Sequence, residues 1–226
     1  MAFRVRSETK SMATKVLIVD DHPATCEGLS IRIAGQPDLE VCGEAADVAE
    51  ALKLIEQTHP DVAVVDIQLK TGNGLELIER IKACHSSIRV LAWSMYADAI
   101  YAERALHAGA LGYINKQNTT GRILEAIRCV RDGRIYLCEE MTQQMLTQTV
   151  SGTKPRPAAG PECLTNRELE VFQLVGQGLS TFDIATRLHR SVHTVESHRE
   201  KIKRKLNLRN ATELQRAAVQ WVLQNG

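Results

Sequence analysis

The chain has 226 residues, 44% hydrophobic and 24% charged, which fits one large or two small globular domains and excludes a disordered or fibrous protein. No run approaches the ~18 apolar residues of a membrane span, and the first residues lack the apolar core of a signal peptide. The net charge of +1 hides an asymmetry: residues 14–138 hold 13 Lys/Arg against 17 Asp/Glu, whereas residues 164–226 hold 10 against 6.

In chain order, residues 1–13 read as a disordered leader of a cytoplasmic protein. Short β-branched runs then alternate with helical patterns. The runs are Lys15–Val19, Glu40–Gly43, Val62–Val65, Arg89–Ala92 and Leu111–Ile114. Between them lie amphipathic stretches such as Val48–Gln57 and Leu75–Ala83. Five strands alternating with about five helices predict an α/β doubly wound domain over 14–138, a five-stranded parallel sheet covered on both faces. Ligand chemistry then belongs at the carboxyl ends of the strands.

Residues 139–163 read as a helix and linker, because Thr149–Cys163 holds three of the six prolines and two glycines with no apolar periodicity. After it come only helix signals. Thr165-Asn-Arg-Glu168 is a capping box, Ser180-Thr-Phe-Asp183 starts a short helix, Ser191–Leu206 supplies a third, and Asn210-Ala-Thr-Glu213 caps a fourth. Residues 164–226 are therefore an all-α four-helix module. The six cysteines (Cys26, Cys42, Cys84, Cys129, Cys138, Cys163) form no C-x-x-C pair and read as reduced thiols.

At the strand ends stand Asp20 and Asp21, Asp66, Ser94 and Lys116, which a parallel sheet brings to one rim. Three carboxylates together repel one another unless a hard cation sits between them, and Mg²⁺ takes such oxygen ligands. A lysine to pair with an anion and a hydroxyl to donate to it complete a set suited to phosphoryl transfer onto a carboxylate. An Asp-Asp pair alone is as readily a helix cap; the other three positions favour the site.

VLIVDDHP, VVDIQL, LAWS and GYINK resemble the receiver motifs of two-component response regulators of the NarL/FixJ type, which have a flavodoxin-like receiver. The resemblance implies that Asp66 is the phospho-acceptor, and that Asp20, Asp21, Asp66 and the backbone carbonyl of Gln68 hold Mg²⁺. It makes Lys116 the partner of the phosphoryl group, Ser94 the switch hydroxyl, and Tyr113 an aromatic switch that turns inward when Ser94 moves. Leu69-Lys70, where the family usually has Met-Pro, and Gln117, where many members have proline, leave the local loop geometry and any cis peptide open.

LTNRELEVFQLVGQGLSTFDIATRLHRSVHTVESHREKIKRKLNL resembles the LuxR/FixJ type of helix-turn-helix. Ser180–Leu188 is then the first helix, His189–Ser191 the turn and Val192–Leu206 the recognition helix, held by Val195, Ile202 and Leu206. Its other positions face a major groove of double-stranded DNA: Thr194, Glu196, Ser197, His198, Arg199, Glu200, Lys201, Lys203, Arg204 and Lys205. The lysines and Arg204 suit phosphates, and Arg199 suits a phosphate or a guanine edge. The basic balance of this end agrees with a polyanionic partner. The implied protein is no enzyme but a regulator phosphorylated by a sensor histidine kinase, forming a homodimer on activation. The alternative is a phosphorylation-independent DNA-binding regulator whose receiver is a dimerisation scaffold. An aspartate-nucleophile phosphatase would need a substrate-covering cap, for which the insertions between strands are too short.

Overall fold

The computed structural model describes residues 13–69, 71–95, 99–118, 121–150 and 160–225. Nearly all of the expected leader, residues 1–12, and most of the expected linker, residues 151–159, lie outside them. In chain order the first module comprises β1 (Thr14–Val19), α1 (Pro23–Ala34), β2 (Leu39–Ala45), α2 (Val48–Thr58), β3 (Val62–Asp66), α3 (Gly74–Cys84), β4 (Arg89–Ser94), α4 (Ala99–Ala108), β5 (Gly112–Asn115) and α5 (Arg122–Arg131). All strand pairs are parallel, in the order β2-β1-β3-β4-β5.

The alternation of side chains along each strand divides the core in two. Leu17, Val19, Ala63, Val65, Val90 and Ala92 pack under α2, α3 and α4. Val16, Ile18, Val62, Val64, Leu91 and Trp93 pack under α1 and α5. This double covering is why the strands read as continuous apolar runs rather than as alternating ones. The strands outrun their apolar runs, so that β3 ends on Asp66 itself and β4 on Ser94. No peptide bond among the described residues is cis.

Helix α6 (Glu139–Val150) follows. The second module holds α7 (Asn166–Gly176), α8 (Thr181–Arg187), α9 (Val192–Lys205) and α10 (Ala211–Asn225). The expected capping box forms between Thr165 and Glu168, and a second joins Ser180 to Asp183 at the start of α8. Asn210 Oδ1 accepts from the Glu213 N–H at 2.9 Å. Phe172 and Trp221 meet with ring centroids 5.9 Å apart, joining α7 to α10. Helix α7 is buried at every position from Glu168 to Val175. Such all-round burial needs a partner on each side, and the first module supplies one. No helix among the described residues is long and apolar enough to cross a membrane.

Candidate functional site: an acidic rim and a basic helix

Asp66 ends a fully buried strand, and its carboxylate is held from two directions. The Gln68 N–H donates to Oδ1 at 2.9 Å, and Lys116 Nζ lies 2.6 Å from Oδ2. The same ammonium lies 2.6 Å from Asp20 Oδ2. Helix α3 closes against this corner: Gly74 donates its N–H to the Ile67 carbonyl at 3.0 Å. A Cβ on Gly74 would run into the backbone carbonyl of Asp66, so this close approach requires glycine.

Asp66 is 2% exposed. Burial raises its carboxyl from 3.8 to about 6; the Lys116 ammonium opposes the shift and the Asp20 charge adds to it. For Lys116, burial alone would lower the ammonium, but the two carboxylates outweigh it and the group is held above its ordinary value. Ser94 is fully buried at the end of β4. Tyr113 is 1% exposed.

Ligand atoms of Asp20, Asp21, His22 and Asp66 all lie within 4.8 Å of one another. Three carboxylates at that spacing are the hard oxygen donors that Mg²⁺ takes, and the site fits that ion. His22 was not anticipated by the sequence reading. Its Nδ1 lies 2.8 Å from Asp21 Oδ1 and 3.1 Å from Asp20 Oδ1. Nitrogen suits a hard cation poorly, so the three carboxylates rather than the His22 imidazole are the donors suited to Mg²⁺. The position of His22 directly after two strand-end aspartates was the available signal.

In α9, Val195 and Ile202 are buried and Leu206, at its end, is half-buried, which fixes the helix on the module. Glu196, Ser197, Glu200, Lys201, Arg204 and Lys205 are exposed, and Thr194, His198, Arg199 and Lys203 are half-buried. Two of the basic residues have acidic partners: Lys203 Nζ lies 2.7 Å from Glu200 Oε1, and Lys205 Nζ 2.6 Å from Glu168 Oε2. Glu168 titrates below its ordinary value although burial alone would raise it, because Lys205 and the Thr165 N–H prefer the anion. Burial, with Lys201 beside it, pulls the His198 imidazole below its ordinary range.

The two modules meet through α7, a contact that the sequence reading missed. Gln173, 1% exposed, accepts from the Tyr101 hydroxyl of α4 at 2.7 Å and from Gln68 Nε2 at 3.3 Å. Arg104, also on α4, donates to Asn166 Oδ1 at 2.8 Å, to the Leu164 carbonyl at 2.6 Å and to the Glu162 carbonyl at 3.2 Å. A cleft of 640 Å³ lies between the modules, with Asp21, Asp66 and Gln68 on one wall and Glu170, Leu174 and Arg187 on the other. Burial raises the Glu170 carboxyl, against the pull of Arg167 at 2.6 Å. The one hint in the sequence was that α7 carries apolar residues over more than one face.

A doubly wound sheet whose rim gathers an acidic pocket, a lysine and a hydroxyl, joined to a four-helix module with an exposed basic helix, defines a receiver coupled to a helix-turn-helix domain. The model of the response regulator receiver domain matches residues 16–128, and that of the bacterial regulatory proteins of the luxR family matches residues 162–218. The oxygen regulatory protein NreC of Staphylococcus carnosus (strain TM300) is 34% identical over 204 residues, covering 88% of this chain and 94% of the relative. A solved LuxR-family two-component response regulator from Aurantimonas sp. SI85-9A1 is 31% identical, with a TM-score of 0.57 over 61% of this chain and 99% of that one. RcsB of Salmonella enterica serovar Typhimurium, solved on promoter rprA with the phosphomimetic BeF3-, superposes with a TM-score of 0.63 over 92% of this chain and 98% of that one. At 22% identity that last similarity shows the fold alone. The chain belongs to the two-component response regulators with a receiver and a LuxR-type helix-turn-helix, a family of regulators rather than enzymes.

Proposed function

We propose that this chain is a DNA-binding regulator whose oligomeric state is set by an aspartyl phosphate on Asp66, formed from the phosphohistidine of a sensor kinase. The observation that carries the reading is Lys116 reaching across the sheet end to within 2.6 Å of both Asp66 and Asp20. An ammonium there is placed to pair with phosphoryl oxygens as they arrive, the preorganised charge that lowers barriers to group transfer. An Asp66 carboxylate oxygen attacks phosphorus, the P–N bond to the donor imidazole breaks, and an acyl phosphate and a free histidine result. The buried Ser94 hydroxyl then donates to the new phosphoryl group. Asp20, Asp21, Asp66 and the Gln68 carbonyl would hold Mg²⁺, which supplies charge neutralisation at the phosphoryl oxygens.

On the DNA side, Lys201 and Arg204 are exposed on α9 and suit phosphates, Arg199 suits a phosphate or a guanine edge, and Glu196, Ser197 and Glu200 occupy the positions that by family resemblance most often approach bases. Lys203 and Lys205 approach DNA only by leaving Glu200 and Glu168. One such helix reads few base pairs, so two half-sites and a homodimer supply the affinity.

The test is phosphate incorporation from phosphoramidate with Mg²⁺, following mass and oligomeric state for wild type and Asp66→Asn. Labelling and dimerisation of wild type alone are expected. Equal labelling of both proteins would remove Asp66 as the acceptor. Dimerisation and DNA binding unaltered in Asp66→Asn, with or without donor, would favour the scaffold reading instead.

A further inference from the structure

The lysine of the rim has a third neighbour, which the phosphoryl-transfer step does not use. Lys116 leaves β5, while its two carboxylates stand on β3 and just beyond β1. Its side chain must therefore cross the end of β4, which lies between β3 and β5 in the sheet. The residue at that crossing is Trp93, paired in register with Asp66 on one side and Ile114 on the other. The ammonium sits 5.2 Å from the centroid of the Trp93 ring, within the reach of a cation–π attraction.

We propose that Trp93 is a positioning residue for Lys116, holding the ammonium at the phosphoryl position while the carboxylates change their charge. The proposal rests on the phosphorylation reading above. Before transfer, Asp20 and Asp66 both hold Lys116 at 2.6 Å. Phosphoryl transfer moves that anchor: the Asp66 carboxylate oxygen becomes part of an acyl phosphate, and the charge that faces Lys116 then lies farther out, on the phosphoryl oxygens. The face of an indole is neutral and keeps its attraction throughout. It is also fixed, because Trp93 is 4% exposed and packs among Ile114, Cys26 and the α5 side chains. Among the described residues its Nε1 has no hydrogen-bond partner. Phenylalanine at this position therefore forfeits no hydrogen bond and keeps a π face, whereas leucine fills the core without one.

The experiment uses the full chain in four forms: wild type, Trp93→Phe, Trp93→Leu, and Trp93→Leu combined with Lys116→Ala. Phosphoramidate labelling with saturating Mg²⁺ is followed for kcat and KM. Trp93→Phe should stay within about twofold of wild type. Trp93→Leu should lose roughly 3- to 20-fold in kcat, the span of a desolvated cation–π contact, with little change in KM. In the Lys116→Ala background the leucine substitution should have no further effect, since a residue acting through Lys116 has nothing left to position. An equal loss in both backgrounds, or none in Trp93→Leu, overturns the proposal.

A second readout does not depend on labelling. With Trp221→Phe leaving Trp93 the sole indole, Mg²⁺ addition should change the emission, and Lys116→Ala should abolish that change. An identical response without Lys116 overturns the coupling. If wild type is not labelled at all, the phosphorylation reading fails, while this emission test still decides whether Trp93 and Lys116 are coupled.

Discussion

At the scale of single residues, the rim trades stability for reactivity. Asp66 is buried beside another carboxylate, and its folded carboxyl titrates near 6 instead of 3.8. A raised acid pKa means that the fold prefers the protonated form. The favourable contribution is complete below pH 3.8 and is lost as pH rises through about 6. At neutral pH the anion therefore costs the fold on the order of 3 kcal/mol. Asp66→Asn should accordingly be more stable than wild type in urea at pH 7, and the difference should shrink as pH falls toward 4. An equal gap at both pH values would count against the ionised, strained carboxylate. Mg²⁺ should narrow the gap at pH 7 as well, because a bound cation favours the anion that the variant lacks.

At the scale of elements, α9 separates anchoring from recognition by its helical period. Val195 and Ile202 are buried while Lys201 and Arg204 stand exposed. Alanine at Lys201 or Arg204 should weaken binding to all DNA sequences alike and reduce the salt slope by about 1 for each phosphate left unneutralised. A change in sequence preference without a change in slope would make them base readers instead. The strands, the caps and the five rim residues were legible because each is local: an apolar run, a capping box, an acidic residue where the run stops. His22, Trp93 and the α7 interface were not. Lys116 over Trp93 depends on which strand neighbours which, and Gln173 meets Tyr101 and Gln68 over sequence separations of 72 and 105 residues. No periodicity encodes such pairings. The Arg104 grip on Leu164 and Asn166 is of the same kind. Arg104→Ala removes charge-assisted hydrogen bonds worth about 1.5–3 kcal/mol each when well formed. It should shift the pair of modules toward separation, read as a larger radius of gyration in small-angle scattering. An unchanged radius would mean that Gln173 and the apolar packing hold the closed form without it.

At the scale of the whole molecule, the closed arrangement covers one function and leaves the other open. Asp66 faces a cleft whose far wall belongs to the helix-turn-helix module, through Glu170, Leu174 and Arg187. Placing a phosphoryl group there adds negative charge opposite a wall that carries both Glu170 and Arg187, and disturbs Gln68, which donates to Asp66 through its backbone and to Gln173 through its side chain. Loss of the Gln68–Gln173 contact favours separation of the modules. The outward face of α9, by contrast, is exposed in the same closed structure. Phosphorylation therefore has little to unmask at the recognition helix, and its influence on DNA must run through pairing of two chains. This separates two models that predict the same final activation. On DNA with a single half-site, phosphorylated and unphosphorylated chains should bind within about twofold of each other. On DNA with two half-sites, phosphorylation should raise affinity by roughly the 10²–10⁴ that linkage of two binding events provides, and the gain should fall as half-site spacing departs from a helical turn. A large phosphorylation effect on the single half-site would instead mean that the receiver blocks α9 in solution, in an arrangement other than this one.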